Sequence, residues 1–200
     1  ARAGGGMLSL ALQDSYIGLG SALEPWESRG FLSLMTSAPR PFLDRREWIF
    51  LGLVILFWAA FVVVLGKDTS WDFRNYHWYG PYAFLGNRLG FDVAVAHQAS
   101  WYNPFLDIPF YLLATHTRSW IALAALGTVQ GANVVPLYLI AREGLNLPDK
   151  KLVAGALALS GEFGALTLTE FGTTYYDNVM SLFVFTGVAI LIVCHRRLRD

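Results

Sequence analysis

The chain has 200 residues, 54% of them hydrophobic and 15% charged, with a mean hydropathy of +0.41. Soluble domains carry roughly 25% charge, so the composition describes a membrane protein. Lys plus Arg and Asp plus Glu balance at 15 each, which leaves no basic excess for a nucleic-acid partner and no like-charge run for a solvated tail. The lone cysteine, Cys194, excludes an internal disulfide and reads as a small residue at a helix end.

Residues 1–46 read as a flexible cytoplasmic N-terminal segment. The run from Met7 to Gln13 is apolar but lacks a following small-residue cleavage site, so it is not a secretory signal. Pro39 and Pro41 hold the residues before them out of helix and mark a linker. Residues 47–200 then read as an all-α, polytopic transmembrane domain. Positions 48–66 are uncharged throughout and long enough for a bilayer core of about twenty helical residues. Three further spans are expected at 120–141, 152–170 and 178–194.

The 67–119 stretch is the long loop of this layout. Helix is expected from Trp71 to Leu89, interrupted at Gly80-Pro81. Residues 103–114 are apolar around Asp107 and too short to cross, which fits an amphipathic helix lying in the interface. Trp101, Tyr102 and Trp120 fit an aromatic interface belt.

Arg40, Arg45 and Arg46 precede the first span, Arg142, Lys150 and Lys151 separate the second from the third, and Arg196, Arg197 and Arg199 follow the fourth. With single crossings all three groups share one side, which the positive-inside rule makes cytoplasmic. The expected location is the cell inner (plasma) membrane, multi-pass, with a cytoplasmic N-terminus and lipids as partners. The long loop and the 170–177 connection then meet on the opposite face.

A short N-terminus, one span and a long external loop with an acidic residue soon after the membrane exit resemble the GT-C glycosyltransferases. The residues that carry the resemblance are Asp72-Phe-Arg-Asn-Tyr-His77, the 103–114 segment and Thr174-Tyr-Tyr-Asp-Asn178. It implies transfer from a polyprenyl-phosphate-sugar donor to an acceptor on the external face, with Asp72 as the catalytic base. It implies substrate-binding roles for Arg74, Asn75, His77, Arg88, Glu170, Tyr176 and Asp177, the arginines neutralising a phosphate leaving group. Protein mannosyltransferases carry an Asp-Glu pair in this loop, whereas Phe73 follows Asp72, so the resemblance is to the GT87-like members. Four spans against the eight or more usual there imply a fragment or one component of an assembly.

Plainer readings stand beside these. Asp72 and Asp177 could be helix N-caps; Glu170 could pair with Arg74 or Arg88, or hold a divalent cation. Arg118 suits lipid headgroups. His77 and His97 lack metal-ligand spacing, and no metal site or firm cofactor is expected. Glu162 is an ionisable residue inside a span, which Gln130 and Asn133 could meet through interhelical hydrogen bonds; a proton or ion path is the other reading. The competing functional class is a non-catalytic membrane subunit of a larger complex, followed by a transporter.

Overall fold

The structure is a computed structural model and describes residues 43–93, 96–145 and 149–199. The expected N-terminal segment therefore lies almost wholly outside the described residues. The unit from Arg45 onward is all-helical, with no strand among the described residues. Its helices are α1 (Arg45–Leu65), α2 (Tyr79–Leu85), α3 (Ile108–His116), α4 (Ser119–Gly131), α5 (Val134–Gly144), α6 (Lys150–Glu162), α7 (Ala165–Glu170) and α8 (Asp177–Arg199).

Three helical stretches are long and apolar enough to cross a membrane: α1, the combined α4–α5 (Ser119–Gly144), and Asp177–Leu198 of α8. Half of the apolar window of α4–α5 is buried against 22% for α1 and 17% for α8, which makes α4–α5 the central element. Its α-helical ladder is interrupted at Ala132–Asn133: Pro136 lacks the N–H that would bond the Ala132 carbonyl, which accepts from the Val135 amide at 3.0 Å instead. α1 packs on α4, and α6 and α8 pack on α5.

The third expected span, 152–170, takes a different form. α6 ends at Glu162, Gly164 is extended, and the short α7 follows. Thirteen residues of α6 rise only about 20 Å against a hydrocarbon core of about 30 Å. Neither piece is a span-length helix.

Two devices fix how α1 sits. It terminates at Gly66, whose φ of 86° is left-handed, and whose N–H returns to the Val62 carbonyl at 3.1 Å. On its inner face Trp58 and Val62 meet Gly127 and Gly131 of α4. A Cβ at 127 would lie 2.8 Å from the Trp58 carbonyl oxygen and one at 131 would lie 2.7 Å from Trp58 Cβ, so only this Gly-x-x-x-Gly pair admits the approach. Trp58 then stacks on Phe171, ring centroids 3.9 Å apart, and with Val62 and Leu123 forms the core.

The two ends of the bundle differ in charge. At one end buried Glu47 of α1 accepts from Tyr138 Oη at 2.7 Å and Arg142 Nε at 2.7 Å on α5, with Lys151 of α6 at 3.7 Å. Arg196 of α8 reaches Glu143 at 3.6 Å. The starts of α1 and α6 and the ends of α5 and α8 thus come together, as single-side grouping of the basic residues requires. The acidic and aromatic loop residues lie at the other end.

Candidate functional site

The turn that leaves α1 is organised by Asp68 and Ser70. Asp68 Oδ1 accepts from the Ser70 amide at 2.8 Å, and Ser70 Oγ accepts from the Phe73 amide at 3.1 Å. Ser70 therefore caps the helical turn over 70–78, and Asp72 makes no capping bond. Residues Phe73–His77 wind as a π-helical turn closed by Trp78 N–H on the Phe73 carbonyl at 2.8 Å. π-Turns widen the helix and often occur where side chains are re-aimed at a site. The interruption expected at Gly80-Pro81 falls at Trp78, where the π-turn ends and α2 begins: Pro81 sits in the first turn of α2, where its missing N–H costs nothing.

Freed from capping, Asp72 is half-buried and accepts a hydrogen bond from the Tyr175 hydroxyl, which comes from the connection before α8. That bond raises the Tyr175 phenol above its usual range, and burial adds to it. Tyr76 lies on the other side of the same carboxylate; burial, with the Asp72 charge second, pushes its phenol up to about 12. Two neutral phenols thus flank Asp72.

His77 is held from another direction. Its Nδ1 is 2.9 Å from Asp107 Oδ1, with side-chain exposures of 12% and 11%. The rings of Tyr175 and Tyr176 meet it edge-on at 6.0 and 5.5 Å between centroids. Burial, together with the Asp107 carboxylate, drives the Tyr176 phenol far above its ordinary range. Asp72, Tyr76, His77, Asp107, Tyr175 and Tyr176 therefore form one polar, aromatic cluster built from two connections.

Beside the cluster is a cavity of about 310 Å³ lined by Lys67, Asp68, Phe73, Arg74, Trp78, Phe110, Ala114, Ser119, Ala122, Leu123 and Gly172. Its walls are the exit of α1, the π-turn, α3, the start of α4 and the 170–174 connection. Most of the lining is apolar, with two cations and one carboxylate. Asp68 also accepts from the Thr174 amide at 3.3 Å, so it joins both connections.

The 170–174 wall is anchored from below by Gln130 of α4. Its Nε2 donates to the carbonyls of Glu170 at 3.2 Å and Thr173 at 3.1 Å, and its Oε1 accepts from the Gly172 amide at 2.9 Å. Asn133 spends its amide group on the carbonyls of Gln130 and Asn178. Neither reaches Glu162, so the expected interhelical bonds to that carboxyl do not form: Gln130 is used to hold the loop wall, and Asn133 ties the end of α4 to the start of α8.

The structure brings Asp72, Arg74, His77, Tyr176 and Glu170 to this end of the bundle. Burial raises the Glu170 carboxyl, and Asp177 and Asp68 nearby add to the effect. Glu170 bonds Thr173 rather than Arg74 or Arg88. Arg88 instead forms a local bidentate pair with Asp92, Nε at 2.7 Å, and Asn75 Nδ2 turns back to the Trp71 carbonyl at 2.7 Å. Asp177 is exposed at the first residue of α8. Lys67, Asp68, Asp107 and Tyr175 were missed as site residues. Lys67 and Asp68 had a signal, since they follow the apolar run of α1 directly and lie nearer the membrane exit than Asp72. Among the described residues no group of three or more His, Cys, Asp or Glu side chains is placed to hold a metal ion. The chain matches no protein-family model, no curated protein and no solved structure.

Proposed function

We propose that the protein is a membrane glycosyltransferase of GT-C type that moves a sugar from a polyprenyl-phosphate-linked donor to an acceptor. In this reading the basic end faces the cytoplasm, and the reaction takes place at the opposite face of the cell inner membrane. The supporting observation is the apolar cavity at the outer end of α1, with Lys67 and Arg74 beside an aromatic, carboxylate-bearing cluster. An isoprenoid chain suits the apolar wall, and a phosphate suits two cations, one of them a fork-shaped guanidinium. The sugar is then directed toward Asp72 and the tyrosines.

Asp72 takes the proton of the acceptor hydroxyl as its oxygen forms a bond to the anomeric carbon. The bond from that carbon to the phosphate oxygen breaks, and the phosphate leaves between Lys67 and Arg74. Tyr175 and Tyr76 hold the carboxylate in place, and α3 with Phe110 keeps water from the donor. The test is transfer from polyprenyl-phosphate sugars by the purified chain in lipid. Asp72→Asn should abolish transfer while insertion and folding stay normal, and undiminished transfer would end the reading.

A second reading, a non-catalytic subunit of a larger membrane complex, is favoured by the apolar faces that α1 and α8 leave uncovered. It predicts stable co-purification with partner subunits and indifference to Asp72→Asn.

A further inference from the structure

Three buried polar side chains of the bundle, on α1, between α4 and α5 and at the end of α6, have unmet hydrogen-bonding groups. Trp58 of α1 packs against Gly131 of α4 and against the Phe163 ring, 5.2 Å away between centroids. Its Nε1–H has no acceptor. Two residues beyond Gly131, the Asn133 Oδ1 accepts nothing. Next to Phe163, Glu162 is 0% exposed and neither carboxyl oxygen has a partner.

Glu162 is the last residue of α6, where the chain breaks before α7. The carbonyl end of a helix is electronegative and opposes a negative charge. The charged and titratable groups on the packed elements do not offset it. α1 offers Arg45, Arg46 and Glu47 at its far end; α5 offers Tyr138, Arg142 and Glu143, tied to Glu47, Lys151 and Arg196 at that same end. On α7, Glu170 is bonded to Thr173. A bare carboxylate in such a place is strongly disfavoured, whereas a carboxylic acid carries no charge to desolvate.

We infer that Glu162 is a reversible proton-binding site in the interior of the bundle, its ligand a single proton. Release of that proton leaves an uncompensated charge at the α6–α7 break. The break leads directly into residues 165–174, which supply Gly172 to the cavity wall. The inference does not depend on the glycosyl-transfer reading.

The test uses the whole chain in lipid nanodiscs and a hydrophobic carbodiimide, dicyclohexylcarbodiimide, which adds only to protonated carboxyls shielded from water. Peptide mass spectrometry should place one adduct on Glu162, with labelling falling about tenfold per pH unit above its midpoint. Infrared difference spectra should show a protonated-carboxyl band that disappears over the same range and is missing from Glu162→Gln. Should that variant fail to fold, the peptide map and the wild-type infrared titration decide alone. No adduct on Glu162 together with no titrating band overturns the inference. Suppression of labelling by sodium or potassium at constant pH would identify a metal cation instead and overturns it equally.

Discussion

Gly127 of α4 lies backbone to backbone against Trp58 of α1: a Cβ at 127 would come 2.8 Å from the Trp58 carbonyl oxygen and 2.9 Å from Ala59 Cα. Nothing flexible can yield there. Gly127→Ala should destabilise the chain by about 1–3 kcal/mol, the usual cost of overpacking. Gly52→Ala, with nothing within 4 Å of the new methyl, should be neutral or slightly stabilising. Thermal unfolding of both variants in the same detergent checks the contrast.

Gln130 is fully buried and holds the 170–174 connection through three hydrogen bonds. Replacing it with leucine keeps the volume but leaves the Gly172 amide and the Thr173 carbonyl unmet, at about 1–3 kcal/mol for each buried group left unpaired, whereas the Glu170 carbonyl keeps the Thr173 amide and hydroxyl. Hydrogen exchange at Gly172 should accelerate sharply in Gln130→Leu, while the ends of α1 and α5 near Glu47 stay protected. Unchanged protection at Gly172 would mean that Trp58–Phe171 stacking alone secures the wall.

At the basic end, Glu47 is 4% exposed and meets Tyr138, Arg142 and Lys151. Glu47→Ala strands the Arg142 guanidinium in a largely dry site, a change that typically costs about 3–5 kcal/mol. The Arg142 side chain keeps 18% exposure and a second partner in Glu143, so the lower end of that range is expected. Equilibrium unfolding measures it.

The Tyr76 phenol, pushed from 10.0 to about 12, titrates later in the folded state than in the unfolded chain. The native state therefore holds this proton more tightly. Its contribution to stability is complete below about pH 10 and is lost as pH rises through about 12. Tyrosinate absorbance should show a late transition that Tyr76→Phe removes. Asp72→Asn should bring it down only partway, since burial is the larger cause.

Much of the fold was legible in the sequence because the bilayer is a severe solvent. The uncharged 48–66 run reads as a helix long and apolar enough to span, and α1 (Arg45–Leu65) is such a helix. The basic groups were placed at one end by counting crossings, and the Glu47–Arg142–Lys151 network joins three of those termini. The break at Gly164 was not read although Gly161, Glu162 and Gly164 mark it, because 152–170 is otherwise apolar and a lone ionisable residue or glycine is tolerated within a span. In the site, Asp72 stood out by its place after the membrane exit. Its phenol partner is 103 residues away and the His77–Asp107 pair spans 30, separations at which no local pattern operates. Asp68 was passed over because a charge beside a span ordinarily marks only its end.

The most direct measurement of the central claim is the affinity of the purified chain in lipid nanodiscs for a polyprenyl monophosphate, read by native mass spectrometry. The account predicts saturable binding that falls at least about tenfold when Lys67 and Arg74 are both changed to glutamine, as expected from losing two charge-assisted contacts, and that survives Asp72→Asn. Equal binding by wild type and the double variant would contradict it.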